Sequence, residues 1–157
     1  MTIRTAVSSD VPLILGFIRG LADFEKLSHE VEATEERLRA TLFPGDGRPA
    51  AECVLAFAGE EPVGFALYFT TYSTFLAKPG LYLEDIFVLP AHRGSGFGKA
   101  LMLHLARLAN MRGCGRMEWA VLDWNQDAIS FYESLGARRL SDWTTCRLAG
   151  EALGKLA

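Results

Sequence analysis

A glycine-spaced turn between an apolar segment and a long amphipathic helix constrains this chain most strongly. The turn consists of Arg93, Gly94, Ser95, Gly96, Phe97, Gly98 and Lys99. Alternate glycines allow backbone N–H groups to approach an anion without obstruction by Cβ atoms. The helix that begins here directs its unpaired N–H groups and its dipole at the same point, which is typical of a pyrophosphate site. The alternative is a glycine-rich turn that only lets the helix pack on a sheet.

Two other phosphate-binding motifs do not match this turn. A P-loop requires G-x-x-x-x-G-K-[ST], but Ala100 follows Lys99. The dinucleotide fingerprint G-x-G-x-x-G fails as well, because Phe97 or Leu101 stands where its third glycine is needed. The spacing therefore disfavours both classes of nucleotide-binding protein.

Hydrophobic periodicity predicts an alternation of strands and helices along the chain. Strands are predicted over 2–6, 52–58, 62–71, 81–89 and 116–122, with one or two more in the tail. Helices are predicted from a cap at Ser8 or Ser9 to about 24, from a cap at Thr34, over 97–112, and from a cap at Asn125 to 135. Residues 72–80 are predicted to form a loop. The pattern is typical of an α/β (α+β) sandwich, with helices on both faces of a central sheet.

Composition limits the class of protein further. The 157 residues predict one domain over 1–157, and 50% hydrophobic with 22% charged residues excludes a disordered chain. A net charge of −3 argues against a nucleic-acid partner and is compatible with a cationic substrate. No apolar run reaches the roughly 18 residues of a membrane helix, and the first ten residues do not resemble a signal peptide. Three cysteines without a CxxC motif argue against disulfides and against a metal site. They therefore predict a cytoplasmic location.

The pattern Arg93-x-x-Gly96-x-Gly98 resembles the acetyl-CoA loop of the GCN5-related N-acetyltransferases (GNAT). Further runs extend the resemblance to the diamine (spermidine/spermine) acetyltransferases, and within them to the thialysine-type branch. These runs are 81–88, 120–126, 131–137, 150–152 and 155–157. The resemblance implies the GNAT fold, with a mixed central sheet and a strand pair, 81–89 and 116–122, that splays apart. It also implies a β-bulge in the first strand of that pair.

The resemblance implies acetyl-CoA as the cosubstrate and no metal. The pantetheine arm would pair, like an added strand, with backbone groups of Ile86, Phe87 and Val88. The diphosphate would lie on Gly94–Lys99 beside Arg93, and the other side of the cofactor would be lined by Asn125, Gln126, Asp127 and Ala128. Without the family, Asn125 is a helix N-cap, and we expect it to do both.

The resemblance also implies direct transfer of the acetyl group to a primary amine, which needs two proton movements. Tyr132 matches the family's tyrosine acid, because a phenol of pKa near 10 can protonate a thiolate of similar basicity. Glu84 matches the residue that contacts the amine or accepts its proton through water. From the residue pattern alone, Tyr132 could be a core aromatic residue and Glu84 a charge at a strand edge.

Further positions match substrate contacts of the family: Phe24, Glu25, Glu118, Trp119 and Ala120. Three acids, Glu25, Glu84 and Glu118, would suit a cationic amine. Polyamine-specific enzymes carry an acidic residue and a Trp after the third strand, where this chain has Ser73 and Phe75. A lysine-like or small amine is therefore favoured over spermidine or spermine.

Several alternatives stay open at this level. The acceptor could be a protein lysine or an N-terminus, and a non-catalytic acyl-CoA sensor or a nucleotide-phosphate binder would also carry a glycine turn. The family resemblance implies a homodimer, and the absence of a long apolar run argues against a membrane partner.

Overall fold

The computed structural model describes residues 1–156, so Ala157, the last residue of the matched run 155–157, lies outside the described residues. The strands are β1 (Thr2–Thr5), β2 (Glu52–Ala58), β3 (Glu61–Ser73), β4 (Lys78–Val88) and β5 (Met117–Trp119). The helices are α1 (Val11–Glu25), α2 (Glu35–Leu42), α3 (Phe97–Met111), α4 (Gln126–Ser134) and α5 (Gly150–Gly154). The chain divides into two compact units, Met1–Ala120 and Val121–Ala157. Within residues 1–156, no helix has the length and apolarity needed to cross a membrane.

The first unit is built on a mixed five-stranded sheet in the order β1-β2-β3-β4-β5. The first four strands pair antiparallel, and β5 pairs parallel with β4. The crossover between β4 and β5 contains α3, as parallel neighbours require. The predicted α/β sandwich with a mixed sheet is therefore confirmed.

Helices cover both faces of the sheet because its central strands are apolar on both sides. Along β2, Cys53 and Leu55 belong to a buried cluster that includes residues of α1 and α2. Val54 and Ala56 are equally buried and project from the opposite face, and α3 contacts β3 and β4. On the α1 side, the ring of Phe17 stacks on that of Phe65 with centroids 5.6 Å apart.

The start of α1 differs from the prediction. Ser8–Asp10 form a short 3-10 turn, and the helix begins after Asp10 rather than at a serine cap. The carboxylate of Asp10 accepts hydrogen bonds from the Val7 N–H at 2.8 Å and from Arg4 at 2.7 Å. These charge-assisted bonds are stronger than a serine hydroxyl could form, so the acid organises this turn. The predicted caps at Thr34 and Asn125 are confirmed, since both side chains accept a backbone N–H of the following helix.

The connection between β3 and β4 is shorter than predicted. The expected loop at 72–80 is wrong, because Tyr72 pairs with Pro79 and Ser73 with Lys78. Only residues 74–77 form the turn, and Ala77 adopts a left-handed φ of 49°. Backbone pairing continues past the core because it does not depend on apolar side chains.

Two strand predictions near the C-terminus are also corrected. The strand predicted over 116–122 is limited to Met117–Trp119, where it pairs with β4. The tail strands are wrong: residues 138–149 are exposed and belong to no strand, and the short helix α5 follows. An extended segment without a ladder partner is not a strand, whatever its composition.

Candidate active site

The glycine turn presents backbone donors in open space at the N-terminus of α3. Gly94 and Gly96 have φ values of 74° and 86°, the left-handed region that an L side chain rarely adopts. Gly96 is the N-cap and has no side chain to occupy the N–H groups of the first turn, which have no partner within the helix. A Cβ at Gly94, Gly96 or Gly98 would meet nothing within 4 Å. The turn therefore fits a diphosphate, which uses such donors and the helix dipole.

Arg93 is anchored to the protein on three sides. Its Nε donates a hydrogen bond of 3.0 Å to the carbonyl oxygen of Val88. Its guanidinium lies 4.4 Å from the ring centroid of Phe24 and 5.4 Å from that of Phe87. Sequence patterns identify Arg93 as a cation beside the turn, but they do not reveal these contacts with the end of β4 and the last turn of α1. Lys99 is exposed on the first turn of α3.

The pairing between β4 and β5 ends next to Glu84. Pairing of Leu67 with Asp85 and of Tyr68 with Leu83 leaves Glu84 as an extra residue in β4, the β-bulge that the resemblance implied. On the other edge, β5 pairs with β4 only as far as Leu83 and Trp119. The predicted splaying of 116–122 from 81–89 beyond this point stays a prediction.

Beyond the bulge, one edge of β4 has no strand partner among the described residues. Among the described residues, no strand pairs with the side of Ile86, Phe87 and Val88 that faces away from β3. The ring of Phe87 is buried, 6.5 Å from that of Phe17, while Ile86 and Val88 are half-buried. The Val88 carbonyl already accepts from Arg93. Such an edge can pair with an extended ligand through backbone hydrogen bonds.

An acidic cavity of about 290 Å³ lies where the end of α1 and the segment after it meet β4. Four carboxylates line it: Glu25, Glu30, Glu32 and Asp85. The remaining lining is apolar and comes from Ile18, Leu21, Ala22, Leu27, Val31 and Ala33. Among the described residues, no cationic side chain belongs to the lining. The arrangement can take a ligand that has a positive charge and an apolar stem.

Asp85 was missed by the sequence analysis. Burial, together with the negative charges of Glu84 and Glu25, raises the pKa of Asp85 to about 6. Burial also raises the pKa of Glu25. A cation in the cavity would relieve this repulsion, because an opposite charge nearby favours the ionised carboxylate. The one available signal was the position of Asp85 beside Glu84, two acids inside an apolar strand.

The other predicted acids lie elsewhere. Glu84 is exposed at the bulge, and the carboxylate of Glu118 forms an ion pair with Nε of Arg116 at 2.8 Å. Burial raises the pKa of the Tyr82 phenol, and the charges of Glu84 and Glu118 raise it further. Of the three acids expected around a cation, only Glu25 lines the cavity. Trp119 is half-buried in register with Leu83, Ala120 is exposed, and Phe24 lies against Arg93.

The second unit contains the remaining predicted residues. Asn125 caps α4 by accepting the Ala128 N–H at 3.2 Å, and the Gln126 amide donates to the Asp123 carbonyl at 2.7 Å. Asp127 is exposed in the first turn of α4. Tyr132 is half-buried on the same helix, with its ring 5.3 Å from that of Phe131.

No metal-binding group of three or more His, Cys, Asp or Glu residues occurs within the part of the chain that the structure describes. Cys53, Cys114 and Cys146 are free thiols. Burial raises the pKa of Cys53 to about 12, so this thiol is not a nucleophile at neutral pH.

A mixed sheet whose last strand pairs parallel with β4, together with a glycine turn at a helix N-terminus, is typical of an acyl-CoA-dependent transferase. Residues 18–137 match the acetyltransferase (GNAT) family. The chain is 42% identical over 166 residues to the thialysine N-epsilon-acetyltransferase of Mus musculus, covering 99% of this chain and 96% of that one. It is 36% identical over 194 residues to the L-ornithine N5-acetyltransferase NATA1 of Arabidopsis thaliana, covering 96% and 85%.

The fold agrees with a solved structure as well. The integron cassette protein VCH_CASS6 from the mobile metagenome of V. cholerae superimposes with a TM-score of 0.79 at 27% identity, covering 99% of this chain and 96% of that one. The chain belongs to the GNAT family of acetyltransferases and is an N-acetyltransferase, a family that uses acetyl-CoA. The resemblance stated from the sequence is thereby confirmed.

Proposed function

We propose that this protein transfers the acetyl group of acetyl-CoA directly to the primary amine of a small, lysine-like cation. The observation that carries the proposal is the acidic cavity beside the bulge in β4. Its apolar lining suits the methylene groups of such an amine, and its carboxylates suit an ammonium group. The relatives that act on thialysine and on ornithine support the same substrate class.

The cofactor contacts follow from the open backbone groups. The N–H groups of Gly94–Lys99 hold the diphosphate, and the free edge of β4 at Ile86, Phe87 and Val88 pairs with the pantetheine arm. Asn125, Gln126, Asp127 and Ala128 supply further contacts to the cofactor. The bound acetyl-CoA supplies the activated acyl group as a thioester.

Two side chains move the protons. An amine with a pKa near 10 is protonated at neutral pH and must lose its proton before it can attack. Glu84, exposed on the bulge, accepts that proton through water. The phenol of Tyr132 donates a proton to the departing thiolate. Phe24, Glu25, Glu118, Trp119 and Ala120 contact the amine substrate.

The broader expectations belong to the same proposal. The chain acts as a single N-acetyltransferase domain over 1–157, in the cytoplasm, as a homodimer, without a metal and without nucleic-acid or membrane partners. The net charge of −3 supports the absence of a nucleic-acid partner.

A screen of acceptors tests this function. Release of the CoA thiol is measured with thialysine, lysine, ornithine, spermidine and a lysine-containing peptide. The expected result is saturable release with thialysine or ornithine and weaker release with spermidine and the peptide. The substitution Glu25→Gln raises KM for the amine about tenfold, whereas the control Glu36→Gln, at an exposed position of α2, does not. Acetyl-CoA binding without thiol release for any acceptor would instead indicate a sensor, and preference for the peptide a protein acetyltransferase.

A further inference from the structure

Arg93 links three parts of the first unit through one side chain. It is the first residue of the glycine turn, its Nε holds the last carbonyl of β4, and its guanidinium lies over Phe24 at 4.4 Å. Phe24 belongs to the last turn of α1, whose neighbouring residue Glu25 lines the acidic cavity. The guanidinium of Arg93 therefore connects the glycine turn with the end of α1, which forms a wall of the cavity.

The stack on Arg93 connects the end of α1 with the glycine turn. The helix stops at Lys26, which has a left-handed φ of 61°, and the following segment 27–33 carries several residues of the cavity lining. Phe24 is 39% exposed, and the guanidinium of Arg93 lies over its ring. A guanidinium stacked on an aromatic face is attracted by the ring quadrupole and fixes the relative position of both groups.

We infer that Arg93 is a positioning residue that couples cofactor binding at the glycine turn to amine binding in the acidic cavity. This inference rests on the proposed function, because it assigns the cavity to the amine. A diphosphate on the turn adds a further contact to Arg93 and so strengthens its hold on Phe24, and the last turn of α1 then keeps Glu25 in place. Binding of coenzyme A thus tightens amine binding, and the reverse effect is equal.

Lysine cannot replace arginine in this role. An ammonium group keeps the positive charge beside the turn but lacks the planar face and the Nε donor that reaches Val88. Arg93→Lys therefore separates the positioning role from the charge. Phe24→Leu removes the aromatic ring, whereas Phe24→Tyr keeps it.

Calorimetry measures the coupling without turnover. The Kd of thialysine is determined with and without saturating coenzyme A, which has no acyl group to transfer. In the wild-type protein the coenzyme tightens thialysine binding at least about fivefold, within the usual range of coupling between two sites. In Arg93→Lys and Phe24→Leu, the ratio of the thialysine Kd without coenzyme A to the Kd with it falls to near one. In Phe24→Tyr this ratio stays that of the wild type. Thermal unfolding shows whether each variant is folded.

Lys99→Ala is the matched control. It removes a charge from the same turn, so it weakens coenzyme binding, but the ratio of the two thialysine Kd values stays that of the wild type. If Phe24 acts only through its contact with the amine, Phe24→Leu changes both thialysine Kd values equally and leaves their ratio unaltered, which overturns the inference. An unchanged ratio in Arg93→Lys, or a ratio lost equally in Lys99→Ala, overturns the inference. Failure of the proposed function is a different result: the wild type then neither acetylates nor binds thialysine.

Discussion

The face of β4 on which Asp85 lies could not be predicted from the sequence. Strand alternation places neighbouring residues on opposite faces, but the bulge at Glu84 interrupts that alternation exactly where two acids adjoin. Counting along β4 therefore cannot decide which carboxylate meets α1. The glycines of the turn posed no such difficulty, because their spacing and their position before a helix specify a backbone shape directly.

Asp85 makes the stability of the protein depend on pH. Its pKa is about 6 in the folded protein against an ordinary value of 3.8, so folding favours the neutral acid. That contribution is fully present below about pH 3.8 and is lost as the pH rises through about 6. Asp85→Asn, a neutral mimic, should therefore raise Tm relative to the wild type at pH 8 and have little effect at pH 4.

The measurement is a Tm series between pH 4 and 8 for both proteins. Asp46→Asn, in an exposed loop, serves as the control and should leave the profile unchanged. A Tm difference for Asp85→Asn that stays constant across the series would show that Asp85 does not titrate as proposed. The same substitution should raise KM for thialysine at pH 8, because Glu25, Glu30 and Glu32 alone then face the cation.

Tyr132 tests the proposed acid. Tyr132→Phe removes only the hydroxyl, so kcat should fall by about 10²- to 10⁴-fold, the usual contribution of general acid catalysis. The Kd of coenzyme A should change little, because the phenol acts on the leaving thiolate. Tyr72→Phe is the control, since Tyr72 is 64% exposed at the end of β3. A kcat for Tyr132→Phe equal to that of the wild type would exclude Tyr132 as the acid.

Among the elements, β4 and the helix after it determine what the first unit can bind. The apolar run 81–89 and the helix over 97–111 were predictable, because burial on both faces and helical spacing leave strong periodic signals. The ends of β3, β4 and β5 were not, because pairing partners rather than residue types set them. Only the family resemblance implied the bulge and the splay, since neither has a period along the chain.

The shape of the glycine turn is an element-level requirement. At Gly96, with φ of 86°, an alanine pays the steric cost of the left-handed region, about 1–2 kcal/mol. Gly96→Ala should lower the free energy of unfolding by that amount and weaken coenzyme A binding. Gly98→Ala lies in α3, where a Cβ meets nothing within 4 Å, so it should not lower stability. Chemical denaturation compares the two. Equal destabilisation by both substitutions would contradict the assigned backbone shape.

At the scale of the whole molecule, the matching sequence segments were enough to predict the family and the fold. The site for the acceptor amine could be located only from the structure. The acidic cavity is assembled from residues 18–33 and from Asp85 on a distant strand. No local sequence pattern indicates that Leu21, Val31 and Asp85 line the same cavity. The preference for a lysine-like amine was inferred from Ser73 and Phe75, and the cavity adds an independent physical reason for a short cation.

The most direct measurement is the initial rate of thiol release from acetyl-CoA with thialysine, together with mass spectrometry of the product. The account predicts saturable release, one acetyl group on the side-chain amine, and a rate that falls sharply in Tyr132→Phe. A wild-type protein that binds acetyl-CoA but releases no thiol over background with thialysine, lysine or ornithine would contradict it.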